Sequence, residues 1–214
     1  SYRDLITAIF LLRDRIARLE GDAVGIMLPA SVGADVLYLA TIFSGKTPVQ
    51  VNWTVGIRNV RHALDLAGVR RILTADLLVK RLAAQGIEFG DLAERFVRME
   101  EVRREFGLAE KLAAALRARL DWSALRRVRV SPVAAVLFTS GSESLPKAVP
   151  LTHANMLANL RDVLRRVEVR AGDGSRLIID AGTGIRLLGR RILEEDDGPT
   201  ALSLLLTHAH LDHL

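Results

Sequence analysis

The sequence has no cysteine among its 214 residues, which excludes a disulfide framework and a thiolate zinc site. It also lacks any apolar run near the roughly 20 residues that a membrane-spanning helix needs, since stretches such as LITAIFLL are bounded by Arg or Asp. The N-terminal residues SYRDLITAIF have neither the basic start nor the cleavage site of a signal peptide. We therefore expect a cytoplasmic protein. The missing initiator Met predicts that the chain begins inside a longer one.

Aromatic residues make up only 5% of the chain, whereas hydrophobic residues make up 50% and charged residues 26%, as is typical of a folded globular protein. The formal net charge is +5, and much of the excess lies in scattered arginine pairs at 70–71, 103–104, 126–127, 165–166 and 190–191. These pairs are not interleaved with aromatic residues, so we predict no nucleic-acid binding. A weak attraction to anionic lipid or acidic protein surfaces stays open, including peripheral association with the inner membrane.

Apolar residues alternate between helical and strand spacing along the first two thirds of the chain. The pattern predicts helices at 2–19, 31–44, 57–67, 76–85 and 153–166, with Ser31 and Asp76 as N-caps. It predicts strands at 23–29, 47–52, 70–75 and 133–138. This order predicts an α/β fold, a partial parallel sheet with helices on both faces. The charged residues 91–120 are interpreted as a peripheral insertion or a mobile helical arm.

The sequence LFTSGSESLPKAVPLTH, which begins in the last of these strands, has the residue types of a phosphate-binding loop. Parallel sheets bind ligands at the carboxyl ends of their strands. There the backbone N–H groups and the hydroxyls of Thr139, Ser140 and Ser142 are suited to surround an anion, and Gly141 lets the backbone curl around it. Lys147 adds a point charge for phosphate oxygens. The pattern differs from that of the common nucleotide loop, Gly-x-x-x-x-Gly-Lys-Ser/Thr.

The same stretch resembles the phosphate-binding motif of the adenylate-forming superfamily, which includes acyl-CoA synthetases, acyl-ACP synthetases and luciferases. The upstream sequence from VGIMLPASVGADVLYLATIFSGK to VRRILTA is similar to the N-terminal subdomain of that group, so the resemblance covers roughly residues 1–164. The Ser-Glu that follows Gly141 is typical of the acyl-ACP synthetase half of bacterial acylglycerophosphoethanolamine acyltransferases.

This resemblance implies an enzyme that uses ATP with Mg²⁺ to activate a fatty acid as acyl-AMP and then passes it to CoA or acyl carrier protein. It implies that Thr139–Ser142 and Lys147 bind the ATP phosphates and that Thr152 and His153 flank the loop. The parts of the site that the superfamily carries downstream, its adenine pocket, magnesium-binding acidic residue and C-terminal domain, have no counterpart after residue 164.

Two residues near the loop depart from the superfamily pattern, because Ser144 and Ala148 stand where it has glycine. If either position needs a positive φ, the side chain costs roughly 1 kcal/mol or more. We therefore expect weakened nucleotide binding.

A second motif closes the chain, in LLLTHAHLDHL. His208 and His210 are spaced to bind one metal, while Asp212 and His213 on the following turn face a second metal. Together with LIIDAGTGIRLLG this resembles the N-terminal part of the metallo-β-lactamase fold, and the resemblance implies a two-metal zinc site with Asp180 orienting a ligand. The site would be incomplete, since that fold takes a further histidine and a bridging aspartate from later segments.

The pattern around the second motif predicts a hairpin at 167–182, a helix at 183–195 and a strand at 201–208, that is, a truncated metallo-β-lactamase-like segment. We therefore predict two incomplete domains, at 1–166 and 167–214. One hypothesis is an acyl-adenylate-forming ligase fragment, inactive alone. The alternatives are a zinc-dependent, phosphodiesterase-like hydrolase fragment and an inactive chimeric chain. A frameshift, an assembly error or a deliberate fusion would each produce this sequence, and its unfinished edges favour self-association.

Overall fold

The computed structural model describes residues 1–139 and 145–166, together with two short strands at 176–179 and 202–205. The chain divides into two compact units, Ser1–Met156 and Leu157–Leu214. The strands of the first unit are β1 (Ala23–Met27), β2 (Thr47–Gln50), β3 (Arg71–Thr74), β4 (Phe96–Arg98), β5 (Val133–Phe138) and β6 (Ala148–Thr152). The helices are α1 (Tyr2–Ala17), α2 (Val32–Phe43), α3 (Ile57–Leu66), α4 (Asp76–Ala84), α5 (Met99–Glu105), α6 (Leu108–Leu120), α7 (Ser123–Arg126) and α8 (His153–Arg166).

The strands of the first unit form one sheet in the order β4-β3-β1-β2-β5-β6. The first five are parallel, as the sequence predicted, but β6 runs antiparallel to β5. The sheet is therefore mixed. The predicted parallel sheet is present in β1 to β5, and β6 adds an antiparallel edge strand, because the chain returns alongside β5 before it enters α8.

Helices cover both faces of the sheet, which confirms the predicted layering. On one face α1 and α2 pack on Ile26 and Leu73, and on the other α3 and α4 pack on Val49 and Ile72. Consecutive strand residues point to opposite faces, so the neighbours Ile72 and Leu73 are both buried in different clusters. Burial on both faces explains why β1 and β5 are unbroken apolar runs in the sequence.

Gly25 in the central strand β1 lies where the packing leaves no room for a side chain. A Cβ at this position would meet Ile72 at 3.1 Å and both Val51 and Val69 at 3.2 Å. These are tighter than ordinary contacts, so the glycine leaves the room that the side chains of Ile72, Val51 and Val69 occupy over β1.

Residues 91–120 are not a peripheral arm, and that interpretation was wrong. They contain β4, the edge strand that pairs with β3 from Ile72↔Phe96 to Thr74↔Arg98. They also contain α6, whose Ala114 is buried against α1. Helices were expected in this stretch, and α5 and α6 confirm that part of the interpretation. The strand and the docking of α6 were missed, because a three-residue strand and an alanine contact leave little hydrophobic periodicity to detect.

The predicted N-caps had different outcomes. Ser31 caps α2 as expected, since its hydroxyl accepts a hydrogen bond from the Ala34 amide at 3.3 Å. Asp76 is instead the first residue of α4, and its carboxylate accepts a hydrogen bond from Arg98. The backbone amide of Asp76 donates to both carboxylate oxygens of Glu100, each at 3.1 Å. A residue distant in sequence therefore caps this helix.

In the second unit, β7 (Arg176–Ile179) pairs parallel with β8 (Leu202–Leu205), from Arg176↔Leu202 to Ile179↔Leu205. Both were predicted as strands. The other strand of the predicted hairpin, 167–170, and the predicted helix at 183–195 lie outside the described residues. Within the described part of the chain, no helix has the length and apolar character needed to cross a membrane.

Candidate functional site

The predicted phosphate loop connects the carboxyl end of β5 to the start of β6, and two hydrogen bonds close its base. The Thr139 amide donates to the Lys147 carbonyl at 3.1 Å. In return the Lys147 amide donates to the Thr139 hydroxyl oxygen, also at 3.1 Å. The two ends of the loop are thus held together at the sheet edge where α/β folds bind ligands.

These bonds determine what the base of the loop offers an anion. The Thr139 amide is already bonded to Lys147, so it is not a donor for a ligand as the sequence suggested. The Thr139 hydroxyl accepts one bond through its oxygen, and its own proton remains able to donate. Lys147 is exposed and carries three further donors and a positive charge. This pair suits a phosphate oxygen.

The remaining predicted phosphate ligands, Ser140, Gly141 and Ser142, lie outside the described residues, as does Ser144. Ala148, the other departure from the superfamily pattern, is the first residue of β6 and pairs with Phe138. An extended strand conformation is available to alanine without strain. The conformational cost that we considered for Ala148 therefore does not arise.

Asn52 is a polar residue near the loop that the sequence analysis missed. It follows β2, which lies beside β5 with Val49 opposite Val136. Asn52 and Thr139 line the same small cavity. The Asn52 side-chain oxygen accepts hydrogen bonds from the amide and hydroxyl of Thr54, at 3.0 and 2.7 Å, which fixes its side chain. The sequence does contain a signal for Asn52, since it is a polar residue at the end of a predicted strand. Only the order of the strands in the sheet, however, brings this residue to the loop.

Thr152 and His153 were expected to flank the loop, and this was wrong. Thr152 pairs with Val133 at the amino end of β5, whereas the loop leaves the carboxyl end, roughly 17 Å away at about 3.4 Å per residue. His153 bonds there to the Ser131 carbonyl at 3.1 Å through Nε2. Because β6 runs antiparallel to β5, it places both residues beside the amino end of β5, at the opposite end of the strands from the loop.

Thr152 instead starts α8 through a reciprocal pair of bonds with Asn155. The Asn155 amide donates to the Thr152 hydroxyl at 3.1 Å, and the Thr152 amide donates to the Asn155 side-chain oxygen at 3.0 Å. This is the geometry of a capping box, which satisfies two backbone donors at a helix start. His153 is therefore the first residue of α8, in agreement with the predicted helix at 153–166.

The predicted zinc ligands His208, His210, Asp212 and His213 lie outside the described residues, as does Asp180, which was predicted to orient one of the ligands. In the described part of the chain, no three His, Asp or Glu side chains come close enough to hold a metal ion. His62 is half-buried on α3. The metal motif thus stays a sequence prediction.

A second, larger cavity of about 690 Å³ opens at the same edge of the sheet as Thr139. The cavity lies near Leu28 and Ala75, which follow the carboxyl ends of β1 and β3. Because these strands are parallel to β5, their carboxyl ends are on the same side of the sheet as Thr139. Its walls are largely apolar side chains from α1, α2 and α4, with Arg81 and Arg103 among the few charged members. The volume and lining are those of a site for an apolar ligand.

The sequence was compared with those of known proteins. The model of a family described as AMP-binding enzyme matches residues 10–179, past the predicted end of the resemblance at 164. The medium/long-chain-fatty-acid–CoA ligase FadD6 of Mycobacterium tuberculosis is 30% identical over 157 residues, which cover 73% of this chain and 24% of that protein. The 4-coumarate–CoA ligase-like 6 of Arabidopsis thaliana is 23% identical over 146 residues, covering 68% and 25%. The chain thus spans about a quarter of the length of these curated relatives.

Solved structures share the fold. The o-succinylbenzoate CoA synthetase from Bacillus subtilis, in complex with an acyl-adenylate intermediate, gives a TM-score of 0.55 at 14% identity, over 97% of this chain and 49% of that one. A fatty acyl-adenylate ligase from L. pneumophila, in complex with acyl adenylate and pyrophosphate, gives 0.56 at 16% identity, over 95% and 33%. At these identities the similarity concerns the fold alone.

Proposed function

Because this chain belongs to the AMP-binding enzyme family, we propose that it is the N-terminal part of an ATP-dependent ligase that activates a fatty acid as its acyl adenylate. The observation that carries the proposal is the closed base of the loop, where Thr139 and Lys147 meet at the carboxyl end of β5. The ammonium group of Lys147 binds a phosphate oxygen of ATP, and the Thr139 hydroxyl donates to another.

In the reaction of the intact ligase, a carboxylate oxygen of the acid attacks the α-phosphorus of ATP, which is bound as its Mg²⁺ complex. The bond to the bridging oxygen breaks, and pyrophosphate leaves with the electron pair. A thiolate of CoA or acyl carrier protein then attacks the acyl carbon and displaces AMP. The loop residues hold the leaving pyrophosphate in line, so their contribution is positioning and charge stabilisation.

The fatty-acid substrate is supported by the 30% identity to a protein named as a medium/long-chain-fatty-acid–CoA ligase. The apolar 690 Å³ cavity at the same sheet edge has a volume in the range that accommodates an acyl chain. The Ser-Glu in the loop supports a relationship to the acyl-ACP synthetase half of acylglycerophosphoethanolamine acyltransferases. Since the chain spans about a quarter of its relatives, we propose that it is inactive alone.

Calorimetric titration with MgATP tests the role of the loop. We expect Lys147→Ala to raise the dissociation constant roughly tenfold, the effect of one charge-assisted contact. Lys80→Ala is the matched control, because Lys80 is an exposed lysine on α4. If both variants bind MgATP like the unaltered chain, the assignment of Lys147 is wrong.

ATP–pyrophosphate exchange tests the fragment proposal separately. We expect no exchange above background from this chain, because groups that orient the acyl carboxylate come from other parts of such a ligase. Robust exchange that Lys147→Ala abolishes would keep the ligase function and disprove the fragment proposal.

The parallel pairing of β7 with β8 supports a second candidate, a zinc-dependent hydrolase segment. Both strands end at the same edge, with Asp180 directly after β7 and His208 three residues after β8. Polar residues that follow neighbouring parallel strands are positioned to converge. In this candidate His208 and His210 bind one zinc, and Asp212 and His213 a second, whose shared hydroxide attacks a phosphoester.

Metal analysis after dialysis against zinc-free buffer tests this candidate. We expect near-stoichiometric zinc in the unaltered chain and in His62→Ala, and its loss in His208→Ala/His210→Ala. Free release of zinc from the unaltered chain would remove the hydrolase candidate. An inactive chimeric chain would neither bind MgATP nor retain zinc.

A further inference from the structure

Helix α6 exposes four leucines along one side. Their spacing of four residues places them over successive turns of the same face. Leu108 is 74% exposed, Leu112 63%, Leu116 58% and Leu120 76%. We call this set the leucine stripe. Side chains of this size are normally the buried face of an amphipathic helix, so their exposure indicates a surface that another component covers.

The opposite side of α6 is the one that packs against the protein. Ala114 and Ala118 are 5% and 2% exposed and contact Ile9 and Phe10 of α1. The small alanines let α6 lie close to α1, and this contact holds the leucine stripe outward. The exposure of the stripe is therefore a consequence of how the helix is docked.

The charges that accompany the stripe are predominantly positive. Residues 108–127 contain five basic side chains and two acidic ones. Both acidic groups are engaged locally: Glu110 accepts from the Gly107 amide at 2.9 Å and from Arg15, and Asp121 accepts from the Ser123 amide at 2.8 Å. These bonds lower the pKa of both carboxyls. The stripe thus borders a cationic surface.

Three of the five cations gather at the C-terminal end of the stripe. Arg119, Arg126 and Arg127 line a shallow cavity of about 610 Å³ together with Leu120 and Trp122. The indole N–H of Trp122 donates to the Ala118 carbonyl at 2.8 Å, while 44% of the residue stays exposed. An amphipathic ring beside arginines and exposed leucines is the composition of a membrane–water boundary.

We propose that α6 and the turn that follows it dock onto a membrane containing anionic phospholipid. The leucine stripe inserts at the level of the acyl chains, Trp122 lies at the boundary, and Arg119, Arg126 and Arg127 bind headgroup phosphates. A second copy of the chain fits less well, because two such faces brought together would oppose like charges. The proposal does not depend on the ligase function.

Vesicle flotation tests the proposal, with vesicles of phosphatidylcholine alone and of equal parts phosphatidylcholine and phosphatidylglycerol. We expect binding to the anionic vesicles only, weakened by salt. Leu112→Gln/Leu116→Gln should reduce the partition coefficient by roughly tenfold or more. Val32→Gln/Leu66→Gln is the matched control, because both apolar side chains are exposed on other helices, at 78% and 56%.

The arginines are tested in the same way. Arg126→Gln/Arg127→Gln should reduce binding to anionic vesicles by roughly 25-fold, since each basic residue near the surface contributes about fivefold. The control Arg58→Gln/Lys80→Gln removes the same net charge from exposed positions of α3 and α4 and should reduce binding far less. Equal losses from the two double variants would show only a long-range charge effect and would overturn the headgroup site.

Trp122 provides a direct readout of insertion. In a Trp53→Phe background Trp122 is the sole tryptophan, and its emission should shift to the blue on anionic vesicles. No shift and no flotation would overturn the proposal. It would also be overturned if light scattering shows a dimer that Leu112→Gln/Leu116→Gln dissociates, since the stripe would then bind a second copy.

Discussion

Thr139 and Lys147, eight residues apart, are joined by two hydrogen bonds of 3.1 Å, one in each direction. The pair closes the loop that carries the phosphate-binding motif, at the carboxyl edge of a mixed sheet. These two bonds fix the position of the Lys147 backbone, from which its side chain extends. The geometry of any contact between Lys147 and a phosphate therefore depends on the Thr139 hydroxyl as well as on the charge of the lysine.

The first prediction concerns this hydroxyl. Thr139→Val removes the acceptor of the Lys147 amide, whereas Thr139→Ser keeps it. We expect the Lys147 amide to exchange its hydrogen about fivefold to tenfold faster in the valine variant, the loss of roughly 1 kcal/mol of local protection. Hydrogen exchange followed by NMR measures this. Equal rates in the valine and serine variants would show that the hydroxyl does not close the loop.

The second prediction concerns the packing at Gly25. Gly25→Ala inserts a methyl group at 3.1–3.2 Å from three core side chains, so we expect the free energy of unfolding to fall by about 1–3 kcal/mol. Gly33→Ala in α2 is the matched control, because the nearest atom to its Cβ lies at 3.8 Å. There alanine should raise the stability by about 0.5–1 kcal/mol. Urea denaturation distinguishes the opposite signs, and two effects of the same sign would refute the packing argument.

The third prediction is a pH dependence. The guanidinium of Arg61 donates to both carboxylate oxygens of Asp91 and lowers the pKa of that carboxyl from 3.8 to about 2. Because the folded pKa is depressed, the ion pair stabilises the fold above about pH 3.8, and this contribution is lost as the pH falls towards 2.

Carboxyl ¹³C titration by NMR measures the effect. Arg61→Gln should return the pKa of Asp91 towards 3.8, since the hydrogen bonds from Arg61 are the largest cause of the shift. Arg58→Gln, on the same helix, should leave the pKa of Asp91 at about 2. A value that stays at about 2 in Arg61→Gln would contradict the assigned cause.

The fourth prediction concerns the start of α4. Glu100 accepts two bonds from the Asp76 amide, so Glu100→Ala should lower the free energy of unfolding by about 1 kcal/mol, the usual effect of a lost N-cap. Glu100→Gln keeps one acceptor and should lose less. Glu101→Ala is the control, because Glu101 is the exposed neighbour. An equal loss in Glu101→Ala would indicate a general effect on α5 and not a cap.

The elements of the first unit could be predicted from the sequence because their signals are local. Apolar periodicity located every helix from α1 to α4, and unbroken apolar runs located β1 and β5. β2 and β3 were also predicted, from the short stretches TPVQVN and RRILTA. The Ser31 cap was also readable, since its hydroxyl bonds within three residues. Three elements escaped: β4 is too short to show a period, β6 is hidden in the motif that precedes α8, and α7 is a single turn.

For the candidate site, the sequence supplied the loop and Lys147 but not its surroundings. The motif suggested that Thr152 lies beside the loop. The antiparallel strand β6 instead places it at the other end of the strands, next to the start of β5. Asn52, far away in sequence, comes to the loop because β2 pairs with β5. The sequence likewise did not predict that the leucine stripe faces outward, because this depends on the packing of α6 against α1 through its alanines.

The sequence by itself therefore determined the segments that become α1 to α4, β1 to β3 and β5, the residue types of the predicted phosphate loop and the net positive charge. Only the tertiary structure decided which strand ends meet, which carboxylate caps α4 and which face of α6 remains outside. The physical reason is that periodicity and capping act within a few residues, whereas strand pairing and helix docking depend on complementary surfaces that the chain brings together from distant positions.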